Sequence, residues 1–303
     1  MLNFLKEEGV NPQLIEELTD CRSAYAAEER LQARIRTPRY LYYGTDIWNK
    51  AIAALLCGEN LLLTGPKATG KNVLAENLAS AFLRPCWNIS LSISTDAASL
   101  IGADTFRNGE VVYQEGPICS CARSGGFGVL DEINMAKNEA LAVLHETLDH
   151  RRSIDVPGYE HIELHPMTRF IATMNYGYAG TRELNEALAS RFVVINMPAI
   201  SPENLQKLLK REFPKLSSKW SGQFALLFQE LQEKCASAEI SARALDLRGL
   251  IAAIRLIEKG LTAQEALELG ISNKVFDAYE HGLVTDLIQS RIPKNLGREE
   301  IYE

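Results

Sequence analysis

Apolar residues along this chain gather in short runs of strand length, separated by stretches of helical period. Asn60-Leu-Leu-Leu-Thr64 is the first such run, and it ends at a glycine-rich loop. Residues 87–91 (WNISL), 127–131 (FGVLD), 168–174 (TRFIATM) and 192–197 (FVVINM) are four more. Leu74, Leu78, Ala81 and Phe82 recur at helical spacing after the first run, as do Leu141, Leu144 and Leu148 after the third. Near-continuous apolar strands alternating with amphipathic helices predict an α/β fold, a parallel sheet sandwiched by helices on both faces.

Two segments interrupt the alternation. Residues 107–116 (RNGEVVYQEG) and 152–164 (RSIDVPGYEHIEL) read as hairpins turning on Asn108-Gly109 and Pro157-Gly158, inserted before the third and fourth strands. After Met197 the strand pattern stops. Ser201-Pro202-Glu203 is a helix start, Leu247, Leu250, Ile251, Ile254 and Ile257 mark one face of a helix closed by Gly260, and Thr262 to Glu265 form a capping box. The first 38 residues read as helical up to Thr37-Pro38. The expected organisation is a helical segment over 1–38, an α/β core with hairpin insertions over 39–198, and an all-helical domain over 199–303.

Composition narrows the class. A 303-residue chain that is 46% hydrophobic and 23% charged is an ordinary globular protein, and no stretch reaches the roughly 18 apolar residues of a membrane helix. The start, MLNFLKEEGV, meets charges before any apolar run suited to a signal peptide. Six scattered cysteines read as free thiols in a reducing cytoplasm. A net charge of −7 argues against nucleic acid as the main partner, since phosphate binders present a basic field. The five histidines form no metal motif, and Cys119-Ser-Cys121 lacks paired ligands at zinc spacing.

The candidate chemistry lies at the ends of the apolar runs. Gly65-Pro66-Lys67-Ala68-Thr69-Gly70-Lys71-Asn72 follows the first strand and opens a helix. In such a P-loop the curled backbone points its amides at phosphate oxygens and the lysine reaches the β- and γ-phosphates. Gly128-Val-Leu-Asp131-Glu132 is an apolar strand ending in two acids, which suits Asp131 to a magnesium ion and Glu132 to polarising a water. Asn175 ends the fourth strand, where an amide can orient that water, a turn asparagine being the plain alternative.

With DEIN at 131–134, ATMN at 172–175, GTRELN at 180–185 and ASRF at 189–192, residues 40–260 resemble the MoxR and dynein-related branch of the AAA+ ATPases. The resemblance implies ATP and Mg2+ as ligands, with Gly65 to Asn72 as Walker A and Asp131 and Glu132 as Walker B. Asn175 takes the sensor-1 position, Arg191 that of a finger reaching the neighbouring subunit, and Arg243 that of a sensor-2 residue of a helical lid, for which Arg248 competes. It further implies a homo-oligomeric ring, usually a hexamer, with the hairpins facing its pore. Relatives often work as chaperones that remodel or mature a client protein with a von Willebrand factor A domain partner. A nucleic-acid motor subunit and a nucleotide switch with little hydrolysis are the alternatives. Two positions depart from the pattern: Asn72 stands where Ser or Thr ordinarily ligates magnesium, which implies slow turnover, and Met135 where many relatives carry Arg.

Overall fold

The sheet expected from the apolar runs is present in the computed structural model, which describes residues 1–176 and 183–302. In chain order the strands are β1 (Leu61–Thr64), β2 (Cys86–Ser90), β3 (Gly102–Arg107), β4 (Glu110–Glu115), β5 (Phe127–Asp131), β6 (Ser153–Val156), β7 (Glu160–Glu163), β8 (Arg169–Met174) and β9 (Val193–Asn196). Five of them form one parallel sheet in the order β2-β5-β8-β1-β9. Alternation of side chains sends successive residues to opposite faces. Leu61, Leu63, Phe127, Val129 and Ile171 join a core covered by the helices Thr45–Leu56 and Lys71–Ala81. Leu62, Leu130, Phe170 and Ala172 join a second core, to which the helix Pro117–Arg123 contributes Ile118 and Cys121. In β1, β5 and β8 both faces are buried, which is why these strands read as apolar runs, whereas the edge strands β2 and β9 expose Asn88, Val193 and Val194.

Both hairpins form before the strands that the pattern assigned them to. β3–β4 starts at Gly102, five residues earlier than the pattern suggests, because β3 is largely exposed and carries no apolar period. Its turn residues Asn108 and Gly109 have φ of 52° and 89°, the left-handed pair a tight hairpin requires. β6–β7 instead buries Ile154, Val156 and Ile162 in the second core. The hairpins meet: Tyr113 and Tyr159 stack with centroids 4.7 Å apart, and the Tyr159 hydroxyl bonds Asp104. The helix expected after β5 is two short pieces, Asn138–Leu141 and Leu144–Leu148.

The chain divides into two compact units, one of Met1–Pro66 with Gly70–Met197 and one of Lys67–Thr69 with Pro198–Glu303. Residues 1–38, expected as a segment apart, belong to the first. Helices of 6 and 13 residues cannot close a core of their own, so Leu5, Ile15 and Leu18 bury with Trp48 and Ile52. Glu8 fastens the junction, its carboxylate accepting the Gly44 amide at 2.9 Å and its carbonyl the Thr45 hydroxyl at 2.7 Å.

The second unit is helical among the described residues, apart from a bridge between Leu216 and Tyr302. Ser201 caps the helix Pro202–Glu212, Thr262 and Glu265 make the expected capping box, and Leu250, Ile251, Ile254 and Ile257 are buried on the helix Leu247–Glu258. No helix among the described residues is long and apolar enough to cross a membrane.

Leu18 is fully buried, so Leu18→Ala should cost about 2–5 kcal/mol in chemical denaturation of the chain. A loss below about 1 kcal/mol would show that the first helices are dispensable to this core.

Candidate functional site

A parallel sheet covered on both faces leaves polar chemistry to the ends of its strands, and the carboxyl ends of β1, β5 and β8 carry most of the residues singled out above. β1 ends at Thr64, and residues 65–70 turn from it into the helix Lys71–Ala81. The loop enters the left-handed region at Gly65, Ala68 and Gly70, with φ of 152°, 61° and 83°. Ala68 bears a cost of about 1–2 kcal/mol for this. Gly70 is the helix N-cap, and a Cβ there would lie 3.1 Å from Cδ2 of Tyr42. Tyr42 is itself fixed, because its amide donates to Asn77 Oδ1 at 3.0 Å and Asn77 Nδ2 donates to the Tyr40 carbonyl at 2.8 Å. Residues 40–42 are thus tied to the helix that the loop opens, which holds the curl in place. The positive end of an 11-residue helix dipole lies at the loop.

Within the loop Pro66 and Ala68 are half-buried, Lys67 exposed and Thr69 buried, and Asn72 is half-buried on the first helical turn. The Lys71 side chain is buried, and its Nζ donates to the carbonyls of Gly65 at 2.9 Å and Pro66 at 2.7 Å. Burial pushes its ammonium down to about 8, against the attraction of Asp131 and Glu132, which works the other way.

The acids come together through β8. Register Leu130↔Ala172 carries the β5 end to Thr173, whose hydroxyl donates to Asp131 Oδ1 at 2.6 Å. The Thr173 hydroxyl oxygen also accepts from the Glu132 amide at 3.1 Å. Glu132 turns sharply there, with φ 56° and ψ 50°, a left-handed conformation unusual for a non-glycine residue. Its Oε1 accepts from Asn175 Nδ2 at 3.3 Å, and the Asn175 carbonyl accepts from Asn134 Nδ2 at 2.9 Å. Asp131, Glu132 and Asn175, singled out in the sequence, are therefore neighbours. Thr173 and Asn134 join them without having been assigned a role. The available signal was parity, since Thr173 lies two residues before Asn175 and so on the same face of the strand.

Arg191 stands elsewhere. β9 pairs with β1 in the register Leu61↔Val193, so Arg191 lies at the amino-terminal end of β9, across the sheet from the loop that follows Thr64. Its Nε donates to the His145 carbonyl at 3.0 Å, it also bonds the Ala187 carbonyl, and it pairs with Asp149 at 3.7 Å. Arg151 is the main cause of the Asp149 carboxyl falling to about 2. Of the GTRELN segment, residues 180–182 lie outside the described residues, while Asn185 caps the helix Glu186–Ala189. Arg243 is exposed in the second unit with its guanidinium 5.5 Å from the Phe276 ring. It precedes the helix start instead of occupying it: Asp246 is the N-cap, and Arg248 lies in the first turn.

Residues 60–192 match the AAA domain of the dynein-related subfamily, a span holding the loop, the acids, Asn175 and Arg191 but not Arg243. The chain is 34% identical to the uncharacterized protein YojN of Bacillus subtilis (strain 168) over 264 residues, 86% of each chain. It is 32% identical to the uncharacterized protein SH1500 of Staphylococcus haemolyticus (strain JCSC1435), covering 83% of this chain and 97% of that one. Against the uncharacterized protein SAUSA300_1302 of Staphylococcus aureus (strain USA300) the identity is 32%, with 81% and 95% covered.

The buried lysine gives a pH signature. Its pKa is about 8 when folded and near the ordinary 10.5 when unfolded, so between these values the unfolded chain binds more protons. The cost of burying the ammonium is present in full below pH 8 and relieved as pH rises to 10.5. The stability difference between parent and Lys71→Met should shift by about 1–3 kcal/mol in favour of the parent across that window, read by chemical denaturation. A constant difference would mean that Lys71 titrates normally.

Proposed function

This chain belongs to the AAA domain family, dynein-related subfamily, and from that premise we propose that it binds ATP with magnesium and hydrolyses it. We further propose that it works in the cytoplasm as a ring of its own copies, remodelling or maturing a client protein with a von Willebrand factor A domain partner. The observation that carries the enzymatic reading is the convergence at three strand ends. A buried lysine at a helix N-terminus, two consecutive acids and an amide bonded to the second acid form one constellation.

Each residue has work suited to its surroundings. The loop amides and the helix N-terminus attract phosphate oxygens, and Lys71 adds a charge that its own carbonyl bonds keep pointed along the loop. Among the described residues no three His, Cys, Asp or Glu groups gather to hold a metal alone. This donor set fits magnesium shared with a nucleotide: Asp131 and the Asn72 side-chain oxygen would hold it beside the phosphate oxygens. A carboxylate offers about four lone-pair sites, and the Thr173 hydroxyl uses one of them at Asp131. Bound magnesium neutralises charge on the phosphates. Glu132 accepts a proton from water, and Asn175 fixes its carboxylate.

The place of Arg191 favours a ring. An arginine at the opposite end of the sheet from its own loop can serve the loop of a neighbouring copy. The net charge of −7 favours protein over nucleic acid as the client. Asn72 favours a second reading, a nucleotide switch with slow turnover.

Lys71→Ala should weaken binding of labelled ATP at least about tenfold, whereas Glu132→Gln should bind normally and lose turnover by about 10²-fold or more. A Lys71→Ala chain that binds like the parent would remove the loop from this role. Arg191→Ala should retain binding and lose hydrolysis by about 10³-fold. Mixed with Lys71→Ala, it should regain activity at junctions that pair an intact loop with an intact arginine. No recovery at any ratio, with assembly confirmed, would count against action between copies. The Glu132→Gln form, held with ATP, should co-purify with the client and the partner.

A further inference from the structure

The loop motif ordinarily places a hydroxyl directly after its lysine, and here that position holds Asn72. Yet a hydroxyl does reach the acids, from the other side. Thr173 on β8 is 1% exposed, and its Oγ1 hydrogen-bonds both members of the pair. It donates to Asp131 Oδ1 at 2.6 Å and accepts from the Glu132 amide at 3.1 Å. A hydroxyl has one proton to give and lone pairs to receive, so both bonds can be made at once.

The second bond has a particular consequence. β5 ends at Asp131, and the chain leaves the strand through the left-handed turn at Glu132. Such a turn persists only when surrounding contacts hold it. Glu132 is exposed and held at its amide by Thr173 and at its carboxylate by Asn175. Loss of the first hold frees the backbone that aims the carboxylate. Asp131 would at the same time lose the donor that fixes its rotamer.

We infer that Thr173 is the positioning residue of this site, its hydroxyl setting the Asp131 carboxylate toward the cation and the Glu132 backbone toward the attacking water. The inference rests on the ATP-hydrolysing reading. A purely structural threonine, conversely, would matter only as a buried side chain with a satisfied hydroxyl. Valine has nearly the same shape without the oxygen, and serine keeps the oxygen without the methyl group, so the pair separates volume from hydrogen bonding.

The test compares parent, Thr173→Val and Thr173→Ser chains at equal assembly, with folding checked by circular dichroism. Thr173→Val should lower kcat by about 10–100-fold, the range expected when a reacting group is displaced by a fraction of an ångström to an ångström. Labelled ATP should bind within about threefold of the parent, because the loop and Lys71 are untouched. Half-maximal rate should need several-fold more magnesium. Hydrogen exchange, followed by mass spectrometry over residues 129–134, should be at least about tenfold faster at the Glu132 amide. Thr173→Ser should return the three altered quantities, kcat, magnesium requirement and Glu132 amide exchange, toward the parent values.

A folded Thr173→Val chain with parental kcat, or one losing kcat and ATP affinity in equal measure, would overturn the assignment. So would unchanged exchange at the Glu132 amide. If valine does not fold, the serine form decides, since a volume role predicts that it fails and a hydroxyl role that it works. A parent that neither binds nor hydrolyses ATP sinks the functional reading itself. A parent that does both beside an equally active valine form sinks only the role of Thr173.

Discussion

Burial of both faces of the three central strands, β5, β8 and β1, is the constraint from which the rest of the first unit follows. β1 sits between β8 and β9 with all four of its residues buried, so no charged group can be accommodated along it. In the three central strands polar residues fall at or beside the strand ends, and there the backbone has amides and carbonyls left over from the ladder. The candidate site consists of what three adjacent strand ends can offer: a loop of curled backbone, two acids and two hydrogen-bonding side chains. Its narrowness follows from the strand spacing of about 4.8 Å, which lets a single hydroxyl on β8 serve the end of β5.

That geometry also sets the electrostatics. Lys71 is drawn into a buried position where desolvation opposes its charge, and two carboxylates at the end of β5, with β8 lying between β5 and β1, partly offset the cost. A site so arranged holds a buried cation close to a half-buried and an exposed carboxylate, which suits it to a polyanionic ligand whose charges complete the balance. The left-handed turns at Ala68 and Glu132 belong to the same economy, since both occur where a strand must release its chain to present a group.

Around this centre the remaining parts act as supports. The first two helices are apolar patches on a shared core, and through Glu8 they steady Gly44 and Thr45 at the start of the helix beneath β1. The β6–β7 hairpin is anchored by three buried aliphatic residues, whereas β3–β4 stands exposed with Phe106 and Val111 paired near its tip. The tyrosine stack and the Arg123 bridges to Glu115 and Glu160 join the two, so that displacement of one hairpin is felt by the other.

Local pattern was enough to announce the strands, the loop, the acid pair, Asn175 and the helical second unit, because each is written in contiguous residues: an apolar run, a glycine spacing, a capping box. The left-handed turn of the β3–β4 hairpin was likewise legible in Asn108-Gly109. The start of that hairpin was not, since exposed strands carry no apolar alternation, and neither was the attachment of residues 1–38, since amphipathic helices do not say which surface they cover. Thr173 illustrates the limit best. Its identity is plain in the sequence, but its bonds to Asp131 and Glu132 depend on β8 lying beside β5 at the register Leu130↔Ala172. Strand order and register are long-range consequences of how the faces pack, and a hydrogen bond between residues 41 and 42 positions apart exists only once they are settled. The same holds for Arg191, whose motif is local but whose separation from its own loop follows from the parallel pairing of β9 with β1.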